Sequence, residues 1–162
     1  MKILEVAIGI SLMLLSAGAL PSWGFDGMDI PQIEKMALDG SAEAQSKLGV
    51  LYASGVGIKM NKQEAVKWYR KSAEQGYPLG QWNLAFMYVR GEGVPADFTE
   101  ARGLFRKAAE SGFANAQYDL GIMLLQGLGG TQDQDEAAKW FQKSADQGYR
   151  EAVKMLKELD LK

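Results

Sequence analysis

A repeat of 36 residues runs through the chain without an insertion or a deletion, and it constrains the fold more than any other feature. Stepping by 36 from one position reaches the same residue type again and again. The shared positions include Gln45, Gln81 and Gln117; Leu48, Leu84 and Leu120; Gly55, Gly91 and Gly127; Ala65, Ala101 and Ala137; and Gly76, Gly112 and Gly148. A fixed period of this length is typical of proteins built from stacked units that each contact their neighbours.

Within each unit, the apolar residues have helical spacing. The first unit contains two such runs, Ala44, Leu48, Leu51 and Tyr52, and then Ala65, Trp68, Tyr69, Ser72 and Ala73. Spacings of three, four, seven and eight residues place side chains on one face of an α-helix. Each unit is therefore predicted to be a pair of helices, helix A followed by helix B.

The repeat predicts an all-α fold, an α/α superhelix or solenoid of three 36-residue helix pairs flanked by a half-repeat at each end. The three repeats are placed at residues 41–76, 77–112 and 113–148. Residues 31–40 align with the end of a helix B, and residues 149–160 align with a helix A that closes the stack. We expect eight helices, with the half-repeats covering the apolar ends of the solenoid.

Capping residues mark the ends of these predicted helices. Each helix B is preceded by a capping box: Asn61 with Glu64, Asp97 with Glu100, and Asp133 with Glu136. In a capping box both side chains bind amide groups that the helix itself leaves unpaired. A glycine at the 36-residue step ends each helix B, and Pro78 suits the first turn of the second helix A. The small residues Ala109 and Gly121 predict a close approach between paired helices.

The same repetition argues against a catalytic or nucleotide-binding site. The capping carboxylates recur once per unit along the stack, whereas acid–base catalysis needs groups that converge on one substrate. Motifs such as Gly91-Glu92-Gly93 recur at a corner between helices, whereas phosphate-binding loops join a strand to a helix. Aromatic residues at the helix-B positions, such as Trp68 and Tyr69, are expected in the core.

The composition excludes further classes of chemistry. The 162 residues contain no cysteine and no histidine, and the formal net charge is −2. Disulfides, histidine-based nucleophilic sites and the usual zinc sites are therefore excluded. Nucleic-acid binding needs clustered lysine and arginine, which this balance of charge does not indicate. We expect a protein that is not an enzyme and that has no cofactor and no metal.

The first 19 residues have the pattern of a secretory signal peptide. Lys2 precedes an uncharged stretch from Val6 to Leu20, which contains the small-x-small motif Ala17-Gly18-Ala19. These 15 residues are fewer than the roughly 20 that a membrane-spanning helix needs, so an uncleaved anchor is the weaker alternative. We expect cleavage near Ala19, a linker at residues 20–30, no membrane span after cleavage, and a periplasmic or secreted protein.

The repeated residues resemble the Sel-one-like repeat (SLR) family, which is related to the tetratricopeptide repeats. The family pattern is met by Ala44-x-x-x-Leu48-Gly49, by Gly55-Val56-Gly57 and by Ala65-x-x-Trp68-Tyr69-x-Lys71-Ser72-Ala73-x-x-Gly76. The resemblance implies a right-handed superhelix whose concave face, lined by the A helices, binds proteins or peptides. It also implies a role as an envelope scaffold or regulator, or as an immunity protein that neutralises a secreted toxin. A cysteine-rich branch of the family is associated with β-lactam binding or hydrolysis. This chain has no cysteine, which argues against that activity here.

The resemblance also places the partner-facing positions of the A helices. Those expected to line the concave groove are Val50, Trp82, Phe86, Val89, Arg90, Tyr118, Ile122 and Leu125, with Glu151, Lys154 and Glu158 on the closing helix. They lie off the apolar stripe that packs each helix pair, and large apolar residues exposed in this way mark binding sites. As alternatives, neighbouring A helices bury these side chains against each other, or residues 20–30 cover them.

Together these features predict an exported, periplasmic scaffold that mediates protein–protein interaction through its concave groove, as an envelope regulator or adaptor. The expected partner is a protein or peptide. An immunity or inhibitor protein for a toxin enzyme and a hydrolase of cell-wall or β-lactam substrates are the alternatives. Fold alone does not choose among them, because function depends on the site that the fold carries.

Overall fold

The computed structural model describes residues 30–160, so the predicted signal peptide and almost all of the linker lie outside the described part of the chain. The described part folds into eight α-helices without a strand, which confirms the predicted fold class. The helices are α1 Ile30–Leu38, α2 Ala42–Ser54, α3 Lys62–Glu74, α4 Pro78–Arg90, α5 Phe98–Glu110, α6 Ala114–Gln126, α7 Gln134–Asp146 and α8 Arg150–Asp160.

Each helix packs against the next one along the chain, and α2 also contacts α4. The three A/B pairs are α2 with α3, α4 with α5, and α6 with α7, while α1 and α8 are the half-repeats at the two ends. The A helices α2, α4 and α6 therefore follow one another along one side of the stack. Over residues 30–160 no helix has the length and apolar character that crossing a membrane requires.

The N-caps of the B helices confirm half of the predicted capping box and correct the other half. The Asp97 carboxylate accepts a hydrogen bond from the Glu100 amide at 3.0 Å, as expected. The Asp97 amide, however, donates to the carbonyl of Tyr88 in the preceding helix A at 3.1 Å. Asn61 and Asp133 make the same backbone bond. Because helix A already accepts this bond from the cap residue, the glutamate of the box is not needed there.

Glu136, which is freed from the cap, makes other contacts on the B-helix side. Glu136 Oε1 accepts hydrogen bonds from Arg106 at 2.6 Å and from Trp140 Nε1 at 3.2 Å. The bond from Arg106, first among several causes, lowers the pKa of Glu136. These residues tie α5 to α7 across neighbouring repeats, so the carboxylate has a structural role.

The Gly-x-Gly motif forms the corner between helix A and helix B, as the sequence predicts. Gly91 has φ 64° and ends α4, with its amide donating to the Met87 carbonyl. Gly93 has φ 68° and lies against the backbone of Lys62, at the start of the preceding helix B. A Cβ at this position would collide with the Lys62 carbonyl, so the glycine is required both for the turn and for stacking.

The paired helices approach closely where helix A has Gly121, which confirms the prediction for this residue. A Cβ on Gly121 would lie 2.6 Å from the Phe141 ring of α7. The Phe141 side chain is fully buried. In the second helix pair, the core residue Leu84 of helix A is likewise only 4% exposed. An aromatic ring of helix B therefore packs directly against the backbone of helix A, and the pair cannot separate enough to admit a larger side chain without strain.

Glutamine side chains connect successive repeats inside the stack. In the first unit, Gln45 donates to the carbonyl of Ala37 at 3.1 Å and accepts from Gln75 Nε2 at 2.7 Å. In the third unit, Gln117 accepts in the same way from Gln147 at 2.8 Å. Both glutamine side chains on helix A are buried, so these bonds satisfy polar groups that water does not reach.

The second unit lacks one of these bonds. Gln81 donates to the carbonyl of Ala73 at 3.4 Å, but the position equivalent to Gln75 and Gln147 is occupied by Ser111. The Ser111 hydroxyl instead donates to the carbonyl of Lys107 in its own helix. Gln81 Oε1 is consequently the one enclosed side-chain oxygen or nitrogen in residues 30–160 without a hydrogen-bond partner.

Candidate partner-binding groove

The structure divides the predicted groove residues into three groups by exposure. Arg90 is exposed, and Trp82 and Ile122 are buried. The half-buried residues are Val50, Phe86, Val89, Tyr118 and Leu125. These five remain candidates for contact with a partner, because each keeps part of its side chain accessible.

The expectation that Trp82 is an exposed anchor is wrong. Its side chain is 6% exposed and packs edge-on against Phe86 and Phe113, at ring-centroid distances of 4.7 and 5.8 Å. The indole Nε1 donates a hydrogen bond of 2.7 Å to Asp119 Oδ2 in the next helix A. Neighbouring A helices therefore bury the indole between them, which is the first alternative that the sequence left open.

Ile122 is also buried, with an exposure of 2%, and the expectation that it lines an open groove is wrong. It belongs to the buried cluster that contains Trp82 of α4 and Ala152 of α8. The helices on both sides of α6 contribute to this cluster, so this side of α6 is enclosed. Ile122 is consequently not available for contact with a partner in this structure.

Two side-chain hydrogen bonds join successive A helices, each between residues that are 37 positions apart. Asn83 Nδ2 donates to Ser46 Oγ at 3.4 Å, and Trp82 Nε1 donates to Asp119 one repeat further on. Both bonds join one helix A to the same level of the next. They link the successive A helices directly.

Asp119 is a buried carboxylate, only 4% exposed. Burial raises its pKa from the usual value near 4 to about 7, and the hydrogen bond from Trp82 opposes this shift. Desolvation has this effect because the charged form loses its hydration shell. No ion pair to a lysine or arginine is formed by Asp119 within the described residues.

Tyr118 and Tyr149 form an aromatic pair next to Asp119, with ring centroids 5.2 Å apart. Tyr118 also packs against Phe141 at 5.6 Å. Burial, followed by the charges of Asp119, Glu151 and Glu158, raises the pKa of Tyr118 to about 12. The pKa of Tyr149 is raised by burial first and then by Asp119 and Glu151. The end of the groove beside the closing helix is therefore aromatic and negative.

The predicted groove residues of α4, one repeat before Tyr118, have different neighbours. The Arg90 guanidinium lies 5.9 Å from the centre of the Phe86 ring and 3.9 Å from a carboxylate oxygen of Glu92. Phe86 itself packs edge-on against Phe105 at 5.1 Å. Arg90 thus already has an aromatic and an acidic neighbour, and Phe86 contributes to the core as well as to the groove.

Asp119 and Tyr149 were not among the site residues predicted from the sequence. The signal for Asp119 was present, because the same repeat position holds Lys47 in the first unit and Asn83 in the second. An acidic residue appears there in the third unit alone, next to the aromatic Tyr118. Tyr149 belongs to the short connection before α8, which the sequence places outside the repeats.

A family model described as Sel1 repeat matches three consecutive ranges, residues 42–77, 78–113 and 114–149. Each range contains one helix A and the helix B that follows it. Comparison with curated proteins finds no match.

Three solved structures are similar to this one. The protein c5321, described as a protective antigen of uropathogenic Escherichia coli strains with an SLR fold, is 40% identical with a TM-score of 0.76. The alignment covers 80% of this chain and 28% of c5321, so this chain spans less than a third of that antigen. A Sel1 repeat protein from Oxalobacter formigenes is 37% identical with a TM-score of 0.74, over 80% of this chain and 98% of that one.

The third structure, cysteine rich protein B of Helicobacter pylori, is 24% identical with a TM-score of 0.62. It aligns with 80% of this chain and 99% of its own, and at this identity it shows the fold alone. Sel1 repeats are non-enzymatic scaffolds that generally bind proteins. The three matched repeats coincide with the three helix pairs and extend over most of the described residues. The chain belongs to the Sel1 repeat family.

Proposed function

We propose that this protein is exported and serves as a scaffold that holds a partner protein against its concave side, as an envelope regulator or adaptor. The Sel1 repeat fold is typical of protein–protein interaction. Export is supported by the signal-peptide pattern of residues 1–19 and by the small-x-small motif that ends at Ala19. The partner-binding part of the proposal rests on the groove.

One observation carries the binding proposal: the A helices combine half-buried apolar side chains with a buried carboxylate that has no basic neighbour. Val89, Tyr118 and Leu125 border the core cluster but remain partly accessible. Asp119 follows Tyr118 in α6 and forms no ion pair within the described residues. A helix or an extended segment of a partner would bury this apolar surface, as in other helix-lined grooves.

A hydrolytic role has less support from the same geometry. Acid–base catalysis needs carboxyl groups that converge on a substrate. Here the Asp133 carboxylate caps α7 through the Glu136 amide, and Glu136 is bound by Arg106. Asp119 is bonded to Trp82. Each of these groups therefore has a structural partner.

Affinity capture from the cell envelope of the native host tests the proposal. The bait is the full chain, and the groove variant is Val89→Ser with Leu125→Ser. The matched control is Met60→Ser, which also replaces an apolar residue but at the A–B corner, where Met60 is 58% exposed. We expect the wild type and the control to capture the same protein and the groove variant to lose it, with all three folded by circular dichroism.

Two results would contradict the proposal. Equal capture by the groove variant would exclude the groove as the binding surface. Recovery of the protein with intact Met1 in the cytoplasm, established by N-terminal sequencing, would exclude export. If the captured protein is an enzyme that the scaffold inhibits in a one-to-one complex, the immunity role replaces that of an adaptor.

A further inference from the structure

The charged groups outside the Tyr118–Tyr149 pair that raise the pKa values of these two tyrosines are carboxylates. Asp119 and Glu151 act on both tyrosines, and Glu158 acts on Tyr118. Glu151 and Glu158 are exposed on α8, whereas Asp119 lies buried in α6. No lysine or arginine contributes to the shift of either tyrosine. Lys154 lies between Glu151 and Glu158 on α8 and is exposed, but it forms no ion pair with either of them. The three carboxylates therefore have no ion-pair partner within the described residues.

Asp119 has an oxygen available for a further bond. Oδ2 accepts from Trp82, and Oδ1 has no donor among the described residues. In residues 30–160, the one fully enclosed side-chain oxygen or nitrogen without a hydrogen-bond partner is Gln81 Oε1. Asp119 Oδ1 is therefore not fully enclosed and keeps contact with solvent. A carboxylate oxygen at the edge of a buried site binds strongly to a donor that carries positive charge.

Arg90, the basic residue among the predicted groove positions on the A helices, already has partners. Arg90 lies close to Glu92 and over the Phe86 ring. The segment before α1 does not complement the site either, because residues 20–29 contain Asp26 and Asp29 and no lysine or arginine. No basic side chain of the described residues forms an ion pair with Asp119, Glu151 or Glu158, so a positive charge from another molecule can bind there.

We propose that the partner inserts one lysine or arginine side chain, flanked by apolar residues, over the Tyr118 ring between Glu151 and Asp119. This inference deepens the proposed function and rests on it, since it names the chemistry of the partner segment. The apolar flanking residues would contact Leu125 and Val89, which lie half-buried along the same groove. The partner segment is thus basic at one point and apolar around it.

Physical chemistry favours such a side chain at this position. Tyrosine faces attract a cation, and the aliphatic stem of lysine or arginine packs well against aromatic rings. Burial raises the pKa of Asp119 to about 7, so at neutral pH its carboxyl group is partly protonated. An incoming cation favours the ionised form and gains an interaction that the free protein lacks. A basic side chain therefore has a larger affinity advantage here than on an open surface.

Selection from a random 12-residue peptide library displayed on phage tests the inference, with the full chain as the target. We expect the enriched peptides to contain one lysine or arginine with apolar neighbours. A selected peptide is then compared with its norleucine counterpart by fluorescence anisotropy. We expect the basic peptide to bind about tenfold more tightly or better, which is the effect of one well-placed charged contact.

Isosteric variants assign this preference to the carboxylates. Asp119→Asn retains an oxygen that accepts from Trp82, and Glu151→Gln changes only the charge of an exposed side chain. Each is expected to remove most of the difference between the basic peptide and its norleucine counterpart. The matched control Glu74→Gln neutralises an exposed carboxylate at the end of α3 and is expected to leave the difference intact.

The outcomes separate this inference from the proposed function. Peptides that lose affinity in Leu125→Ser but show no preference for lysine or arginine would overturn the inference and leave the groove as the binding surface. A basic preference that survives both Asp119→Asn and Glu151→Gln would also overturn it. If no selected peptide depends on Leu125 or Val89, the groove itself is not the binding surface and both proposals fail.

Discussion

Replacing Ser111 by glutamine is expected to stabilise the protein, because it supplies a donor for the unpaired oxygen of Gln81. The equivalent residues Gln75 and Gln147 make this bond in the first and third units, at 2.7 and 2.8 Å. The backbone at Ser111 has φ −75° and ψ 4°, close to φ −82° and ψ 3° at Gln75. A glutamine side chain can therefore reach the acceptor from position 111 without a change of the backbone.

The magnitude follows from three contributions. A typical intramolecular hydrogen bond stabilises a protein by about 0.5–1.5 kcal/mol, and an unpaired buried group costs about 1–3 kcal/mol. Ordering a glutamine side chain opposes this by up to about 2 kcal/mol. The bond from Ser111 to the Lys107 carbonyl is exposed and adds little. We expect a net gain of about 1 kcal/mol, which for a chain of this size raises the Tm by about 2–4 °C.

Thermal unfolding followed by circular dichroism measures this gain. Gln75→Ser provides the reverse change and is expected to lower stability by about 1–3 kcal/mol, because it leaves Gln45 Oε1 without its donor. A double-mutant cycle with Gln81→Met isolates the bond, since Ser111→Gln has no acceptor to satisfy in that background. An unchanged or lower Tm for Ser111→Gln, or an equal gain in the Gln81→Met background, would refute the reasoning.

Three further predictions follow from the core and from the buried carboxylate. Gly121→Ala is expected to lower the free energy of unfolding by about 1–3 kcal/mol, because the added methyl group would meet the Phe141 ring. An unchanged free energy of unfolding in chemical denaturation would contradict this. Trp82→Ala is expected to lower the free energy of unfolding by about 3–5 kcal/mol, as replacement of a core tryptophan does. A variant that stays stable but loses partner binding would show that Trp82 is a binding residue and not a core residue. Asp119 has a folded pKa of about 7, above its unfolded value near 4, so its contribution to stability is present below pH 4 and is lost as the pH rises through 7. Asp119→Asn should therefore become more stable relative to the wild type between pH 5 and pH 8, by at most about 3 kcal/mol. A constant difference across urea titrations at these pH values would count against this account.

The repeat predicts the helices well because each unit carries the same local signals. Helical spacing, an N-cap before each helix B and a glycine after it recur at every step, and the structure has helices at the predicted places. The capping box was predicted in part only. A sequence pattern does not show that the Asp97 amide already donates to the Tyr88 carbonyl of another helix.

The groove could not be predicted in full, because its shape depends on how closely neighbouring A helices pack. Family resemblance indicates which side of each helix faces the groove, but Trp82 is removed from that surface by a bond to Asp119. The two residues are 37 positions apart, and a search for identical residues at a step of 36 does not detect a contact between different residue types. The burial of Ile122 likewise depends on both flanking helices.

Site-specific photo-crosslinking in the native host tests the central claim, binding of a partner protein on the concave side, most directly. Benzoylphenylalanine is placed at Val50 or Leu125 in the groove, and at the exposed residues Lys71 or Lys107 on the B helices as controls. Because a partner in the groove contacts both half-buried positions, we expect the two groove probes to crosslink to the same protein and the control probes to give none of that product. Crosslinks to that protein from Lys71 or Lys107, without any from Val50 or Leu125, would contradict the account.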